Sequence, residues 1–409
     1  MNSAQLFTHA LGLLPPWYVE RIEFNKDSKG SRRLDIHLRF KKGSKFPDES
    51  GRDCPVHDTL DRSWQHLNFF EHTCYLHAKV PRIKTREGNV KQVMLPWARP
   101  NSGFTLLFEA YAMSLVESEM PINKAARILR VLPKRIWTVF NFWISRAFNA
   151  DDQSRVKNIG IDETSKRKGH VYITVTADLD ARRVIFASPG KDTNTMLQLS
   201  KHFKNKEIPL SQIEHISMDM SPAFISGAKE YFSEAKIVFD RFHIKQLLNE
   251  AVDEVRKSER RLHNVLKGHK YTFLKKEKNL SKKEKFVKSK LIEDYPALGT
   301  TVQLQELFED FFEYSDKEEA SAFLAYWCDL AEESKVKPMM KFAATIKVHW
   351  SGVINYIQAK ISNGILEGIN SKIQLAKRRA RGYRNTENLI NMVYFIAGKL
   401  KFDYPHYST

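Results

Sequence analysis

The stretch Val156-Lys157-Asn158-Ile159-Gly160-Ile161-Asp162-Glu163 sets the reading of this chain, because its pattern of a largely apolar run stopped by a carboxylate recurs at Ile213-Glu214-His215-Ile216-Ser217-Met218-Asp219. Working outward, the periodicity predicts strands over 156–161, 170–177 and 183–187, a helix over 193–203 and a strand over 213–218. A helix capped by Ser221 and begun by Pro222, then a last strand over 235–239, complete the segment. Three meandering strands followed by two that alternate with helices resemble the order of a known type of sheet, and that resemblance implies a fourth strand parallel beside the first. Asp162 and Asp219 are then expected at neighbouring C-terminal ends. Either aspartate alone reads as a turn former, and the pair is the signal. A third carboxylate, Glu367, sits in the helical stretch Ser362-Asn363-Gly364-Ile365-Leu366-Glu367-Gly368-Ile369-Asn370. Carboxylates from three separate elements suit hard divalent ions held across one phosphodiester.

Composition agrees with a polyanionic partner. The 409 residues carry 66 Lys+Arg against 48 Asp+Glu, a net charge of +18, and such an excess favours nucleic acid through counterion release. The length corresponds to roughly two to four domains. With three cysteines, Cys54, Cys74 and Cys328, a disulfide framework is excluded and a reducing cytoplasm is expected. No leader pattern opens the sequence and no run of 18 apolar residues occurs, so neither export nor a membrane-spanning segment is expected.

Upstream, residues 18–100 alternate apolar and polar side chains, as in Arg33-Leu34-Asp35-Ile36-His37-Leu38-Arg39-Phe40, which predicts a small β-rich module. Helical period follows over 104–148. Within it a short helix at 122–129, a tight turn at Arg130-Val131-Leu132 and a helix opened by Pro133 have helix-turn-helix spacing, with Ala125 at the close approach. Lys134, Arg135 and Thr138 are expected on the outer face of the second helix, toward phosphates or base edges. Downstream, residues 245–290 hold 15 basic and 6 acidic residues, and 291–335 hold 2 and 12. That helical stretch reads as two halves of opposite charge, the positive one a candidate face for DNA. Over 360–384 seven basic residues (Lys360, Lys372, Lys377, Arg378, Arg379, Arg381 and Arg384) accompany Glu367 alone. Asn370, Gln374 and Arg378 share the helical face of Glu367, which predicts a phosphate clamp beside the carboxylate, and Tyr383 is a candidate for stacking on an unpaired base.

Taken in order, Gly160-Ile161-Asp162-Glu163, Ser217-Met218-Asp219-Met220-Ser221, Asp240-Arg241-Phe242-His243 and Asn363-Gly364 through Glu367-Gly368, Asn370 and Lys372 resemble the DDE transposases of bacterial ISL-three-type insertion sequences. So do Trp64-Gln65-His66-Leu67-Asn68-Phe69-Phe70, Val80-Pro81-Arg82 and Leu95-Pro96-Trp97-Ala98-Arg99-Pro100, and the resemblance covers nearly the whole chain. It implies an α/β fold with a ribonuclease-H-like catalytic core interrupted by a helical insertion and preceded by a helix-turn-helix and the β-rich module. The corresponding division is 1–100, 101–150, 151–244, 245–355 and 356–409. It also implies Asp162, Asp219 and Glu367 as a triad for Mg²⁺, with Mn²⁺ as a substitute, and Asp240 and His243 as auxiliary site residues. The implied partners are double-stranded DNA, as transposon inverted-repeat ends and target, and further copies of the chain in a dimer or larger synaptic complex. The implied location is the bacterial cytoplasm, at the nucleoid.

One module departs from that pattern. Relatives carry Cys-x-x-Cys knuckles where this chain reads Phe46-Pro47-Asp48-Glu49-Ser50-Gly51 and Ile83-Lys84-Thr85-Arg86-Glu87-Gly88, so zinc is not expected. Cys54, His57, Cys74 and His77 have ligand spacing, but a separation of three on a strand sends side chains to opposite faces. Two other readings stay open: a catalytically idle DNA-binding regulator, and a ribonuclease-H-like nuclease or junction resolvase.

Overall fold

The computed structural model describes residues 2–26, 30–167, 169, 171–262, 264–275, 279–361 and 363–404. His170, the first residue of the strand expected over 170–177, and Ser362 lie outside the described residues. The chain divides into two compact units, residues 1–149 with 401–409, and residues 150–400. No helix among the described residues is long and apolar enough to cross a membrane.

The first unit opens with helix α1 (Ser3–Ala10), closed at its start by a reciprocal Asn2–Gln5 capping box. Strands β1 (Trp17–Lys26), β2 (Arg32–Phe40), β3 (Lys45–Pro47), β4 (Asp53–Phe69), β5 (His72–Lys84) and β6 (Val90–Gln92) form one sheet in the order β1-β2-β5-β4-β3, with β6 on β5. Neighbours are antiparallel except β2 and β5, whose register runs Arg33↔Thr73 to Leu38↔Ala78. Alternation sends Leu34, Ile36 and Leu38 of β2 and Cys74, Leu76 and Ala78 of β5 into a core closed by Trp17, Trp64 and Trp97.

Three helices follow: α2 (Leu106–Glu117), α3 (Ile122–Ile128) and α4 (Pro133–Ala150). The expected turn and its two helices are present, and Ala125 is fully buried. Inside this unit lies a buried carboxylate. Glu109 of α2 accepts Arg99 Nε (2.9 Å) and Trp143 Nε1 (2.8 Å) on Oε2, and Ser102 Oγ (2.6 Å) on Oε1. It is wholly buried, and the Arg99 guanidinium lies flat over Phe142 at 3.7 Å. Charge, ring and indole thus fix α4 against α2.

In the second unit β7 (Asn158–Arg167), β8 (Val171–Asp178) and β9 (Arg183–Pro189) form an antiparallel meander. Helix α5 (Thr193–Asn205), β10 (His215–Met218), α6 (Pro222–Tyr231) and β11 (Lys236–Phe239) complete the sheet, ordered β11-β10-β7-β8-β9 with β10 parallel to both neighbours. Then come α7 (Arg241–Leu262), α8 (Lys270–Leu274), α9 (Lys282–Asp294), α10 (Pro296–Asp310), α11 (Lys317–Glu333), α12 (Lys337–Val348) and α13 (Trp350–Ala359). Helices α14 (Gly364–Ala380) and α15 (Thr386–Ala397) close the unit. Its main core joins sheet residues such as Ile159, Ile216 and Val238 to Phe308, Trp327 and Phe342 of the helical stretch.

Two expectations are corrected here. Asp162 does not end its strand: β7 continues to Arg167 because the antiparallel ladder to β8 runs on to Arg167↔Val171. The parallel ladder to β10, by contrast, stops at Ser217↔Gly160, so Asp162 lies just beyond the last residue paired on that side. Ser221 occupies the N-cap position of α6, but its side chain makes no cap bond; instead its N–H donates to Asp219 Oδ1 at 3.0 Å.

Replacing Glu109 by alanine leaves Arg99, whose side chain is 14% exposed, without its counter-charge. The expected cost is about 3–5 kcal/mol, read as a fall in the denaturant midpoint reported by Trp143 fluorescence. An unchanged midpoint would show that this carboxylate does not hold the helices together.

Candidate nucleic-acid-processing site

Beside the end of the parallel pairing, α14 lies along β7. Asn370 Nδ2 donates to Asp162 Oδ2 (2.7 Å), and Gln374 Nε2 to Thr164 Oγ1 (2.8 Å). Lys377 Nζ reaches the Ser165 carbonyl and Gln374 Oε1. Lys166, largely buried, sends its ammonium to the Arg384 carbonyl (3.1 Å) and Thr386 Oγ1 (2.6 Å). The approach is close because position 160 has no side chain: a Cβ there would lie 2.8 Å from Asn363 Oδ1 and 2.9 Å from Leu366 Cδ1.

Burial holds the Asp162 carboxyl above the ordinary aspartate range. The His243 charge, the Glu163 N–H and the Asn370 amide pull it down, whereas the Asp219 charge pushes it up. Glu163 is also raised, first by burial and then by Asp219, with Lys191 opposing at 3.6 Å. Asp162, Asp219 and Glu163 therefore share one electrostatic neighbourhood, with His243 beside Asp162. Asp240 is almost wholly buried and raised by burial; its Oδ1 accepts the Asn363 N–H at 3.3 Å, and its own N–H donates to the Met218 carbonyl. It fastens the end of β11 to the start of α14 and faces no solvent. Glu367 sits in the first turn of α14, exposed, three residues before Asn370.

Among the described residues no group of three or more His, Cys, Asp or Glu side chains stands close enough to hold a metal ion. The oxygen chemistry nonetheless fits a hard cation. Three carboxylates, Asp162, Asp219 and Glu163, share one electrostatic neighbourhood, and Asn370 Oδ1, Asn363 Oδ1 and Ser217 Oγ are buried oxygens without a hydrogen-bond partner. Asn363 and Ser217 both adjoin Gly160, the former across the gap described above and the latter as its partner across the sheet.

The basic residues separate into two sets. Lys372, Arg378, Arg379, Arg381 and Arg384 are exposed, whereas Lys377 is turned back onto β7 and burial lowers its pKa. Asn370, expected as a DNA contact, spends its amide donor on Asp162. Tyr383 is half-buried, and burial pushes its phenol up to about 12. In the first unit Lys134 and Thr138 are exposed, the Thr138 hydroxyl bonding the Lys134 carbonyl. Arg135 is exposed as well, and its guanidinium stacks on Phe104 at 4.0 Å and donates to Gln65 Oε1 at 3.2 Å.

The four residues weighed for zinc do not converge. Cys54 and Cys74 face the apolar core, and burial pushes the Cys74 thiol up to about 12. His57 is exposed, and His77, on the opposite face from Cys74, bonds Asp35 Oδ1 and Ser63 Oγ.

The residues that sequence reasoning missed are Lys166, Asn363 and Glu163. Asn363 and Glu163 stood inside quoted motifs, but nothing local marks an amide as the partner of a strand 202 residues away.

Residues 159–393 match a family model described as Transposase, and residues 93–144 match the Helix-turn-helix domain of transposase family ISL3. The chain is 25% identical over 390 residues to the Transposase for insertion sequence element IS1001 of Bordetella parapertussis, covering 92% of this chain and 94% of that protein. It is 25% identical over 429 residues to the Transposase for insertion sequence element IS1557 of Mycobacterium tuberculosis, covering 95% and 94%. Among solved structures, the Drosophila P element transposase strand transfer complex aligns with a TM-score of 0.33 at 11% identity, over 73% of this chain and 93% of that one.

Substituting Lys166 with methionine keeps the side-chain length and removes the bonds to Arg384 and Thr386. Hydrogen exchange of the 381–386 amides should then quicken by about tenfold or more. Unchanged exchange would mean that the basic loop is held by other contacts.

Proposed function

Because this chain belongs to the ISL3 family of transposases, we propose that it binds the terminal inverted repeats of an insertion sequence and cuts and rejoins DNA at a carboxylate site on β7, β10 and α14. That it is a DNA transposase follows from the family; the site and its chemistry are the proposal. The observation that carries it is Asp162, desolvated, held by Asn370 and charged against Asp219 where the parallel pairing ends. Strand order β11-β10-β7-β8-β9 supports a ribonuclease-H-like reading of residues 151–244. In the same reading residues 245–355 are an insertion, 356–400 return to the core, and 1–100 and 101–150 serve end recognition.

Asp162 and Asp219 would hold a divalent cation, with Glu367 joining from α14. When bound, Mg²⁺ or Mn²⁺ neutralises charge on a scissile phosphate and acidifies an attacking water or DNA 3′-hydroxyl. The chain's own part is positional. Asn370 fixes the Asp162 carboxylate, Asp240 fixes the backbone entering α14, and His243, which acts electrostatically on Asp162, is the group to contact the scissile phosphate or order the DNA end. Exposed Lys372, Arg378, Arg379, Arg381 and Arg384 engage backbone phosphates without reading sequence, and Lys134 and Thr138 meet the end through the helix-turn-helix. Two ends must be joined to one target, so a dimer or larger synaptic assembly on the bacterial nucleoid is part of the proposal.

With a repeat-ended duplex, strand cleavage should require Mg²⁺ or Mn²⁺ and vanish in chelator. Asp162→Asn, Asp219→Asn and Glu367→Gln should each lower cleavage by about 100-fold or more while duplex binding changes little. Normal cutting by any one of the three removes that carboxylate from the site, and equal cutting in chelator overturns the metal-dependent reading.

A further inference from the structure

The hairpin joining β4 to β5 turns through two residues, Phe70 and Glu71, between the paired Phe69 and His72. Phe70 has φ +51°, the left-handed backbone that hairpin turns fill with glycine, asparagine or aspartate because a Cβ there crowds the chain. Its ring is 85% exposed, more than any other large apolar side chain among the described residues. Phe69 meets it edge-on at 4.8 Å and is itself braced by Phe7 (5.5 Å) and Phe24 (6.5 Å). The tip therefore carries both a backbone cost and a hydration cost, with little burial to offset them. Such an outlier points to a function outside the folded chain.

The surroundings identify the occupant. Arg130, in the turn between α3 and α4, donates Nη1 to the Glu71 carbonyl at 3.1 Å, which ties the aromatic tip to the helix-turn-helix. Arg32 pairs with the Glu71 carboxylate, and Lys26, opposite Arg32 in the β1–β2 ladder, is exposed. Two arginines thus bond the residue next to the projecting ring, a lysine stands exposed across the ladder from one of them, and the Glu71 carboxylate is paired. The surface is continuous with the part of the chain that the family uses to read DNA. A projecting ring with arginines on the next residue, beside a helix-turn-helix, has the chemistry of a wedge that parts stacked base pairs, and pyrimidine–purine steps part most readily.

We propose that Phe70, backed by Phe69, is a second DNA-reading element, inserting at a deformable step of the duplex bound by the helix-turn-helix. The proposal goes beyond the cutting reaction and is independent of its metal and carboxylates.

The test uses the full chain and a short duplex carrying 2-aminopurine at TpA steps. Asparagine tolerates a positive φ, so Phe70→Asn keeps the turn and removes the ring; Phe70→Trp keeps a stacking face. Binding by the unaltered chain and by Phe70→Trp should raise the fluorescence of the unstacked base. Phe70→Asn should leave it at the free-duplex level and weaken binding by about tenfold, with no fall in thermal midpoint. Equal affinity and equal fluorescence for Phe70→Asn would overturn the proposal. So would unchanged DNA fluorescence together with a loss of self-association in sedimentation without DNA, which would assign the tip to contact between copies.

Discussion

The hydrogen bonds that fasten α14 and its following loop to β7 are the constraint on which the candidate site depends. Asn370, Gln374 and Lys377 lie on one face of α14 and meet Asp162, Thr164 and Ser165 in the same order. The match is geometric: four helical residues rise about 6 Å and two strand residues about 6.6 Å, so helix and strand stay in step over two contacts. Lys166 extends the seam to Arg384 and Thr386. Gly160 permits the seam to close, and Asp240 anchors its beginning through Asn363. One helix thereby carries Glu367 three residues before Asn370 and the exposed cations of its last turn at a fixed offset.

The cost of this arrangement falls on the carboxylates. Burial and the neighbouring Asp219 charge both disfavour ionised Asp162, and the Asn370 amide and the His243 charge offset them only in part. Three buried oxygens, on Asn370, Asn363 and Ser217, add to that debt of unmade interactions. A chain selected for stability alone would place apolar groups there. Sites that bind a cation and a polyanion keep such deficits, because the ligand supplies what the fold withholds.

Much of this was legible beforehand, for physical reasons. Runs such as Ile159-Gly160-Ile161 and Ile216-Ser217-Met218 are buried in a central sheet, so they announce strands, and the helix-turn-helix is written in Pro133, Ala125 and a three-residue turn. The continuation of β7 was not legible. Glu163, Thr164, Ser165, Lys166 and Arg167 are polar because one side of the strand is covered by amides and ammonium groups of α14, not by an apolar core. A hydrophobic pattern cannot announce a strand whose partner is polar. Arg135 is exposed as helical phase predicts, but its contact to Gln65, 70 residues earlier, has no local signature. The pairing of β2 with β5 and the Asp240–Asn363 bond, 123 residues apart, have no local signature at all.

The central claim is that the Asp162 region of β7, the end of β10 and the first turn of α14 face one cation. The most direct measurement replaces Mg²⁺ with Fe²⁺ in the DNA-bound chain, adds ascorbate and peroxide, and maps where the polypeptide is cut by radicals released at the ion. The account predicts three clusters of cuts, around Asp162, Asp219 and the 363–370 segment, all lost in Asp162→Asn. Cuts at the first two without the third, or a pattern that Asp162→Asn leaves unchanged, would contradict it.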